Sequence, residues 1–127
     1  MSQVPAELKY TKEHEWISES GAGRYRVGIT DYAQSALGDI VYIQLPKVGD
    51  NHVQGKVCGE VESTKSVSEI YAPLSGSVVA VNESLDSAPE SLNQDPYGAG
   101  WIYEVEISNA DELSSLLDSA GYQALTA

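Results

Sequence analysis

Short segments in which apolar and polar residues alternate, separated by turn residues, recur along the chain. Strands that turn one face to the core and one to solvent show this period of two. The alternating segments are 24–29, 57–62, 77–81 and 101–107. The run 40–45 is apolar on both faces, which is typical of an interior strand, and Pro46 ends it. This pattern predicts a mainly β domain.

Helix signals are fewer. A short helix is predicted after Thr30, whose hydroxyl can cap it, and Gly38 would end it. The strongest helix signal is C-terminal, where three leucines form one stripe at helical spacing. We therefore predict a C-terminal helix at about 109–120, packed on the domain and ended by Gly121.

The length of 127 residues fits one compact domain, 1–127. A chain of this size buries roughly two-thirds of the surface that its unfolded form exposes. We find no linker, low-complexity segment or repeat. The residues alone favour a small sandwich or flattened barrel with a helical tail.

The charge balance is strongly acidic, with 7 Lys and Arg residues against 19 Asp and Glu residues and a net charge of −12. Such a chain repels phosphate backbones and anionic lipid, so we expect neither nucleic-acid nor membrane binding. The N-terminus lacks a signal-peptide pattern, and the single cysteine cannot form an internal disulfide. These features predict a cytoplasmic protein, or one of the mitochondrial matrix if a transit peptide was removed.

Catalytic chemistry has little support in the sequence. His14 and His52 lack metal-ligand spacing with each other or with Cys58, and no metal site is expected. There is no nucleophile-elbow or glycine-rich phosphate motif. Residues 13–15 could form an acid/base cluster, although a solvated edge before Trp16 is the favoured interpretation. The chain is therefore not expected to be an enzyme.

The segment 61–67 lies between two predicted strands and is expected to form a hairpin tip from which Lys65 projects. Small hydroxyl residues flank this lysine, and no other base lies next to it. Taken alone, the segment favours an ordinary polar turn with a solvated lysine.

The residues around this tip resemble the lipoyl/biotinyl carrier family, in which a hairpin-tip lysine is modified. Gly49-Asp50 precedes the tip and the Pro-x-Ser-Gly-x-Val segment 73–78 follows it, both at the spacing of that family. Biotin carriers typically have methionines beside the lysine, whereas Thr64 and Ser66 stand here. The resemblance therefore implies lipoate on Lys65.

Further segments narrow the resemblance to glycine cleavage system H proteins, over residues 8 to 120. These segments are 8–16, 28–34, 37–41 and 96–101. Residues 62–65 match the Glu-Ser-x-Lys pattern of that family. The residues next to the modified lysine at the arm tip are Glu62, Ser63, Thr64 and Ser66. Tyr32 stands where many such proteins have histidine, and Ser66 stands where many have alanine.

The resemblance implies a barrel-sandwich hybrid of two small antiparallel sheets with short helices and a C-terminal helix. It implies a non-catalytic carrier of glycine catabolism and one-carbon metabolism, which shuttles the aminomethyl group of glycine on a lipoyl-lysine arm. The implied partners are glycine decarboxylase (P protein), aminomethyltransferase (T protein) and dihydrolipoyl dehydrogenase (L protein). Lipoate ligase, or octanoyltransferase with lipoyl synthase, would install the arm. We expect a monomer.

The loaded arm would carry an amine that is cationic at neutral pH. We hypothesise that Glu15, Glu69 or Glu62 pairs with this ammonium and shields the adduct, while plain surface acidity for solubility and steering stays open. Two other functions also stay open. One is a lipoyl or octanoyl relay carrier for other 2-oxoacid dehydrogenase complexes, and the other is an unmodified interaction domain.

Overall fold

The computed structural model describes residues 3–126, and within them the chain forms two antiparallel sheets with short helices around their edges. The predicted domain limits, 1–127, stay a prediction, because residues 1, 2 and 127 lie outside the described part. The prediction of a mainly β fold with two small antiparallel sheets is confirmed.

The larger sheet contains the N-terminal strands and the last strand of the chain. Its order is β1 (Lys9–Tyr10), β2 (Glu15–Gly21), β3 (Arg24–Ile29), β9 (Tyr103–Ile107), β8 (Gly76–Val81) and β5 (Asn51–His52). Strand β3 pairs with β9, far away in sequence, through Val27 opposite Tyr103. This pairing joins the N-terminal strands to the later strands of the sheet, and the sheet covers a continuous apolar core.

The smaller sheet presents the hairpin predicted from the sequence. Its order is β4 (Ile40–Gln44), β6 (Val57–Ser63) and β7 (Val67–Tyr71), with β6 and β7 joined by the short turn between them. Ile43, Val61 and Ile70 lie on its inner face and are buried in the main core. The inner face thus fixes the hairpin on the body of the protein.

The first helix forms where the sequence predicts it. The helices are α1 (Asp31–Leu37), α2 (Ser84–Ser87), α3 (Ser91–Gln94), the 3₁₀ helix η1 (Ala110–Ser115) and α4 (Ser119–Thr126). The Thr30 hydroxyl accepts a hydrogen bond from the Ala33 amide at 3.2 Å, as a helix cap does. Gly38 ends α1 with φ of 83°, a conformation that favours glycine.

The predicted C-terminal helix is present, but its predicted bounds of about 109–120 are wrong. The chain forms η1, continues in an extended conformation, and begins α4 only afterwards, with Gly121 inside α4 and not at its end. Leu117 exchanges two backbone hydrogen bonds with Tyr10, of 2.8 and 2.7 Å, and so pairs with β1. These bonds take up the groups that a continuous helix would have used.

A second, smaller core lies between the C-terminal helix and the first strands. Tyr122 of α4 stacks on Tyr10 with ring centroids 4.8 Å apart, and both rings are buried. Trp16 lies directly against Gly28 on the neighbouring strand, and its indole N–H donates to the Pro96 carbonyl at 2.9 Å. Aromatic packing therefore attaches the C-terminal helix to the sheet.

One buried carboxylate connects the two sheets. Glu15 begins β2 and is only 1% exposed, so the expectation of a solvated edge is wrong for this residue. One of its oxygens accepts from the Thr11 hydroxyl at 2.6 Å, and the other accepts from the Tyr71 amide of β7 at 3.0 Å. Burial raises the pKa of Glu15 from 4.5 to about 7, against the opposing effect of the two hydrogen bonds.

We predict that Gly28→Ala destabilises the fold by about 2 to 4 kcal/mol, through overpacking and loss of the indole hydrogen bond. A Cβ at this position would lie 2.5 Å from the indole nitrogen of Trp16. Urea unfolding measures the difference. Gly21→Ala is the control, because its Cβ would meet only the Arg24 Cβ at 4.0 Å. Equal losses for the two variants would contradict the packing argument.

We also predict that Glu15→Gln removes a pH dependence of stability. The folded protein binds the Glu15 proton more tightly than the unfolded chain does, so the wild type loses stability as pH rises from about 4.5 to about 7. Over this window the wild type should lose about 3 kcal/mol relative to the glutamine variant. Denaturant unfolding from pH 4.5 to 8 tests this, with Glu19→Gln on the same strand as control. Parallel stability curves for wild type and Glu15→Gln would contradict it.

Candidate functional site

The tip of the β6–β7 hairpin is an ordered turn built around one hydroxyl. The Ser63 amide donates to the Ser66 carbonyl at 2.8 Å and closes the turn. The Ser63 hydroxyl oxygen accepts from the Lys65 amide at 3.3 Å and from the Ser66 amide at 3.1 Å. Lys65 is exposed at the apex. The turn therefore presents the lysine on a defined backbone.

Contacts with the body of the protein hold this tip in place. The Thr64 amide donates to the Asp39 carbonyl at 3.0 Å, just before β4 begins. The Lys65 stem passes the end of α1, where a Cβ on Gly38 would lie 3.5 Å from Lys65 Cε. Among residues 3–126, the ion pairs join Arg24 to Glu106 and Arg26 to Glu104, so Lys65 is held by no carboxylate.

A cleft of about 200 Å³ lies between α1 and β7. It brings together two acids that the sequence singled out, Glu15 and Glu69, whereas Glu62 does not line it. The remaining lining residues are Glu13, His14, Ile29, Tyr32, Ala33, Ala36, Leu37, Val61, Ser68 and Ile70. Because α1 forms one wall and Lys65 passes the end of α1, the lysine lies beside this cleft.

The two acids differ in their surroundings. Glu15 is buried and bonded to Thr11 and Tyr71, so its carboxylate sits in a region of low polarity. Glu69 is exposed, and its carboxylate accepts from the Tyr71 hydroxyl at 3.3 Å. A cation in the cleft would interact more strongly with Glu15, because water screens the exposed group.

A hydrogen-bonded chain from the C-terminal helix supports one wall of the cleft. The Tyr122 hydroxyl lies 2.7 Å from His14 Nδ1 and 2.7 Å from the Thr30 hydroxyl, which caps α1. The His14 ring lies against Tyr32, with centroids 4.8 Å apart. His14 has φ of 71°, an unusual value for a residue other than glycine, and these contacts stabilise it.

Burial sets the protonation states in this chain of residues. It lowers the pKa of His14 and raises that of Tyr122 to about 12, so the neutral imidazole and the neutral phenol are favoured. The sequence offers His14 only as a member of the possible acid/base cluster 13–15, and it gives no role to Tyr32 or Tyr122. One signal was available for the cleft, because Ala33 and Ala36 give the inner face of α1 small side chains that leave space beside it.

Other features of the described residues offer no comparable site. A cavity of about 430 Å³ also borders Glu15, but it contains no residue of α1 or β7. Burial raises the pKa of Cys58 to about 11, which disfavours the reactive thiolate. Within residues 3–126, no three His, Cys, Asp or Glu side chains are grouped to hold a metal ion. No helix in this part of the chain is both long and apolar enough to span a membrane.

Comparisons with known proteins show which family this chain is similar to. The family model for the glycine cleavage H-protein matches residues 8–127. A glycine cleavage system H protein from Nocardia farcinica is 57% identical over 129 residues, which cover 98% of each chain. One from Photorhabdus laumondii is 54% identical over 125 residues, which cover 98% of this chain and 96% of its own length.

A solved structure has the same fold. The crystal structure of a glycine cleavage system H protein from Mycobacterium marinum aligns with a TM-score of 0.86 at 42% identity, covering 97% of this chain and 98% of its own. Sequence and fold therefore match over nearly the whole chain, which confirms the resemblance. The chain belongs to the glycine cleavage H-protein family.

Proposed function

We propose that this chain is the carrier of the glycine cleavage system and holds lipoate in amide linkage on Lys65. The observation that carries the proposal is an exposed lysine on an ordered hairpin tip, next to a cleft that contains a buried carboxylate. The matched family and the names of the relatives favour this role over that of a relay carrier for other complexes.

The residues at the tip fit this attachment. Lys65 is exposed, makes no ion pair with residues 3–126, and is flanked by small side chains that leave its amine accessible. When attached, lipoate would supply a sulfur that accepts the aminomethyl group and a dithiol that can be reoxidised. The chain itself would position the arm through the Ser63 turn and shield its cargo in the cleft, without catalytic groups of its own.

Several enzymes are the proposed partners of this carrier. Glycine decarboxylase, aminomethyltransferase and dihydrolipoyl dehydrogenase would act on the arm, after lipoate ligase, or octanoyltransferase with lipoyl synthase, has installed it. Acylation of Lys65 removes one positive charge and takes the net charge from −12 to −13. Such an acidic carrier attracts basic docking faces, and the attraction weakens with salt. The bacterial relatives support a location in the bacterial cytoplasm.

We further propose that Glu15 holds the ammonium of the loaded arm, with Glu69 as a weaker partner at the rim. Glu15 is buried, so general surface acidity does not account for it. A cation beside Glu15 would favour its ionised form and lower its pKa from the value of about 7 that burial produces. Binding of the cationic cargo would thus offset the cost of keeping this carboxylate buried.

The proposed attachment of lipoate to Lys65 gives a direct prediction. Incubation with a lipoate ligase, lipoate and ATP should add one lipoyl mass increment, which peptide mapping locates on Lys65. Lys65→Ala should show no increment, and Lys56→Ala, which removes another exposed lysine, should behave like wild type. The proposal fails if Lys65→Ala still gains the increment, or if wild type gains none from a ligase that modifies a control carrier.

A separate prediction concerns two acids of the cleft, Glu15 and Glu69. Glu15→Gln should release the aminomethyl group from isolated loaded carrier about tenfold faster or more, as loss of a charged hydrogen bond implies. Glu69→Gln should have a smaller effect, because its carboxylate is exposed to water. Glu60→Gln, outside the cleft, serves as control. Ammonia release over time measures the rates, and equal rates for wild type and Glu15→Gln would show that burial of Glu15 serves only the fold.

A further inference from the structure

An enzyme that acylates Lys65 has to select it among the five lysines of this chain, Lys9, Lys12, Lys47, Lys56 and Lys65. The side chains beside Lys65 are those of Ser63, Thr64 and Ser66, which are small and offer little contact area. Affinity in protein interfaces comes mainly from larger anchors, among them tyrosine. The recognition surface must therefore extend beyond the tip itself.

The outer face of the smaller sheet carries larger exposed side chains next to the tip. Tyr42 on β4 lies opposite Glu62 on β6, and Glu62 lies opposite Val67 on β7, so the three form one row across the sheet. Tyr42 is 49% exposed and Val67 is 59% exposed. Val41 precedes Tyr42 at an irregularity of the pairing and is 53% exposed. We call Val41, Tyr42 and Val67 the outer patch.

The outer patch is not explained by folding. The core-facing side of the sheet is already filled by Ile43, Val61 and Ile70. Single exposed apolar residues are common, but adjoining ones on a sheet face mark interaction surfaces. Val67 is also only two positions from Lys65. A partner seated on the patch would therefore lie beside the tip that carries the lysine.

Acidic residues surround the patch and indicate the charge of its partner. Glu62 lies within the row, and the next row along the sheet pairs Gln44 with Glu60 and Glu60 with Glu69. Asp39 lies at the base of the tip, where its carbonyl holds Thr64. A complementary face would have an apolar centre bordered by lysine or arginine side chains.

The position of the patch distinguishes among the proposed partners. An acylating enzyme must bring its active site to the Lys65 amine itself, so it has to contact the tip. Enzymes that act on the finished arm meet its far end and can dock elsewhere. We propose that the outer patch is the docking surface for the enzyme that acylates Lys65, through an apolar face bordered by basic residues. This inference rests on the proposed function.

The step that docking would serve is an acyl transfer. The Lys65 ammonium first gives up one proton, and the free amine attacks the carbonyl carbon of a lipoyl adenylate supplied by the ligase from lipoate and ATP. The new C–N bond forms as the bond from the acyl group to the phosphate oxygen breaks. AMP leaves, and the nitrogen releases a second proton to become the amide.

Steady-state acylation of the carrier tests the patch. The double variant Tyr42→Thr/Val67→Thr keeps β-forming residues in both strands while removing the apolar anchors. Its KM as carrier substrate should rise about tenfold, with kcat within about twofold of wild type. The matched control is Val48→Thr/Val53→Thr, which changes two other valines that are 63% and 58% exposed. Its KM should equal that of wild type, and thermal unfolding checks that both variants are folded.

The outcomes separate this inference from the function on which it rests. If wild type is not acylated, the proposed function itself fails. If wild type is acylated and the patch variant has the same KM, the docking surface is wrong while the function stands. A final experiment compares the fully lipoylated variants as substrates of dihydrolipoyl dehydrogenase, and there we expect the KM to be unchanged. An equal loss there would show that the patch serves every partner, which overturns its assignment to acylation.

Discussion

Glu15 hydrogen-bonds at the same time to the loop before β2 and to the edge of β7 in the other sheet. No basic residue in the described part of the chain pairs with it, so its burial carries an electrostatic cost that the two hydrogen bonds offset only in part. In return, the bond to Tyr71 joins the buried inner face of the smaller sheet in fixing the hairpin relative to the larger sheet. The position of Lys65 and the width of the cleft both follow from that placement. A residue at the structural junction is thus also the buried carboxylate of the cleft.

The C-terminal helix supports the opposite wall of the cleft without lining it. Tyr122 fixes His14 and Thr30 through one hydroxyl, while its ring stacks on Tyr10. The Tyr122 and Thr30 hydroxyls are buried and the His14 ring is half-buried, which disfavours rearrangement because a freed buried hydroxyl would have no water to bond. The cleft is therefore built between two supported walls, and an arm entering it would not have to organise the protein first.

Local pattern predicted those parts of the fold that depend on neighbours in sequence. The alternation of residues 57–62 located β6, and Thr30 and Gly38 marked the ends of α1. The bond between Glu15 and Tyr71 joins residues 56 positions apart, and no local pattern carries that information. The C-terminal error has the same origin, since the leucine stripe is helical in period but Leu117 pairs with Tyr10. Lys65 was predictable only from the motifs that frame it, because a lone lysine in a polar turn has no distinctive physical signature.

The bond between Thr64 and Asp39 has a consequence for how several enzymes would share one lipoyl arm. Because the root of the arm cannot drift, the end of a lipoyl group on Lys65 would explore a shell with a stationary centre. Every active site that takes its turn must intersect that same shell from outside the body of the protein. Two enzymes would clash sterically there, so they could engage the arm only one at a time. The rate of a complete reaction cycle would then depend on how quickly each enzyme dissociates, and tight binding of any one enzyme would slow the cycle.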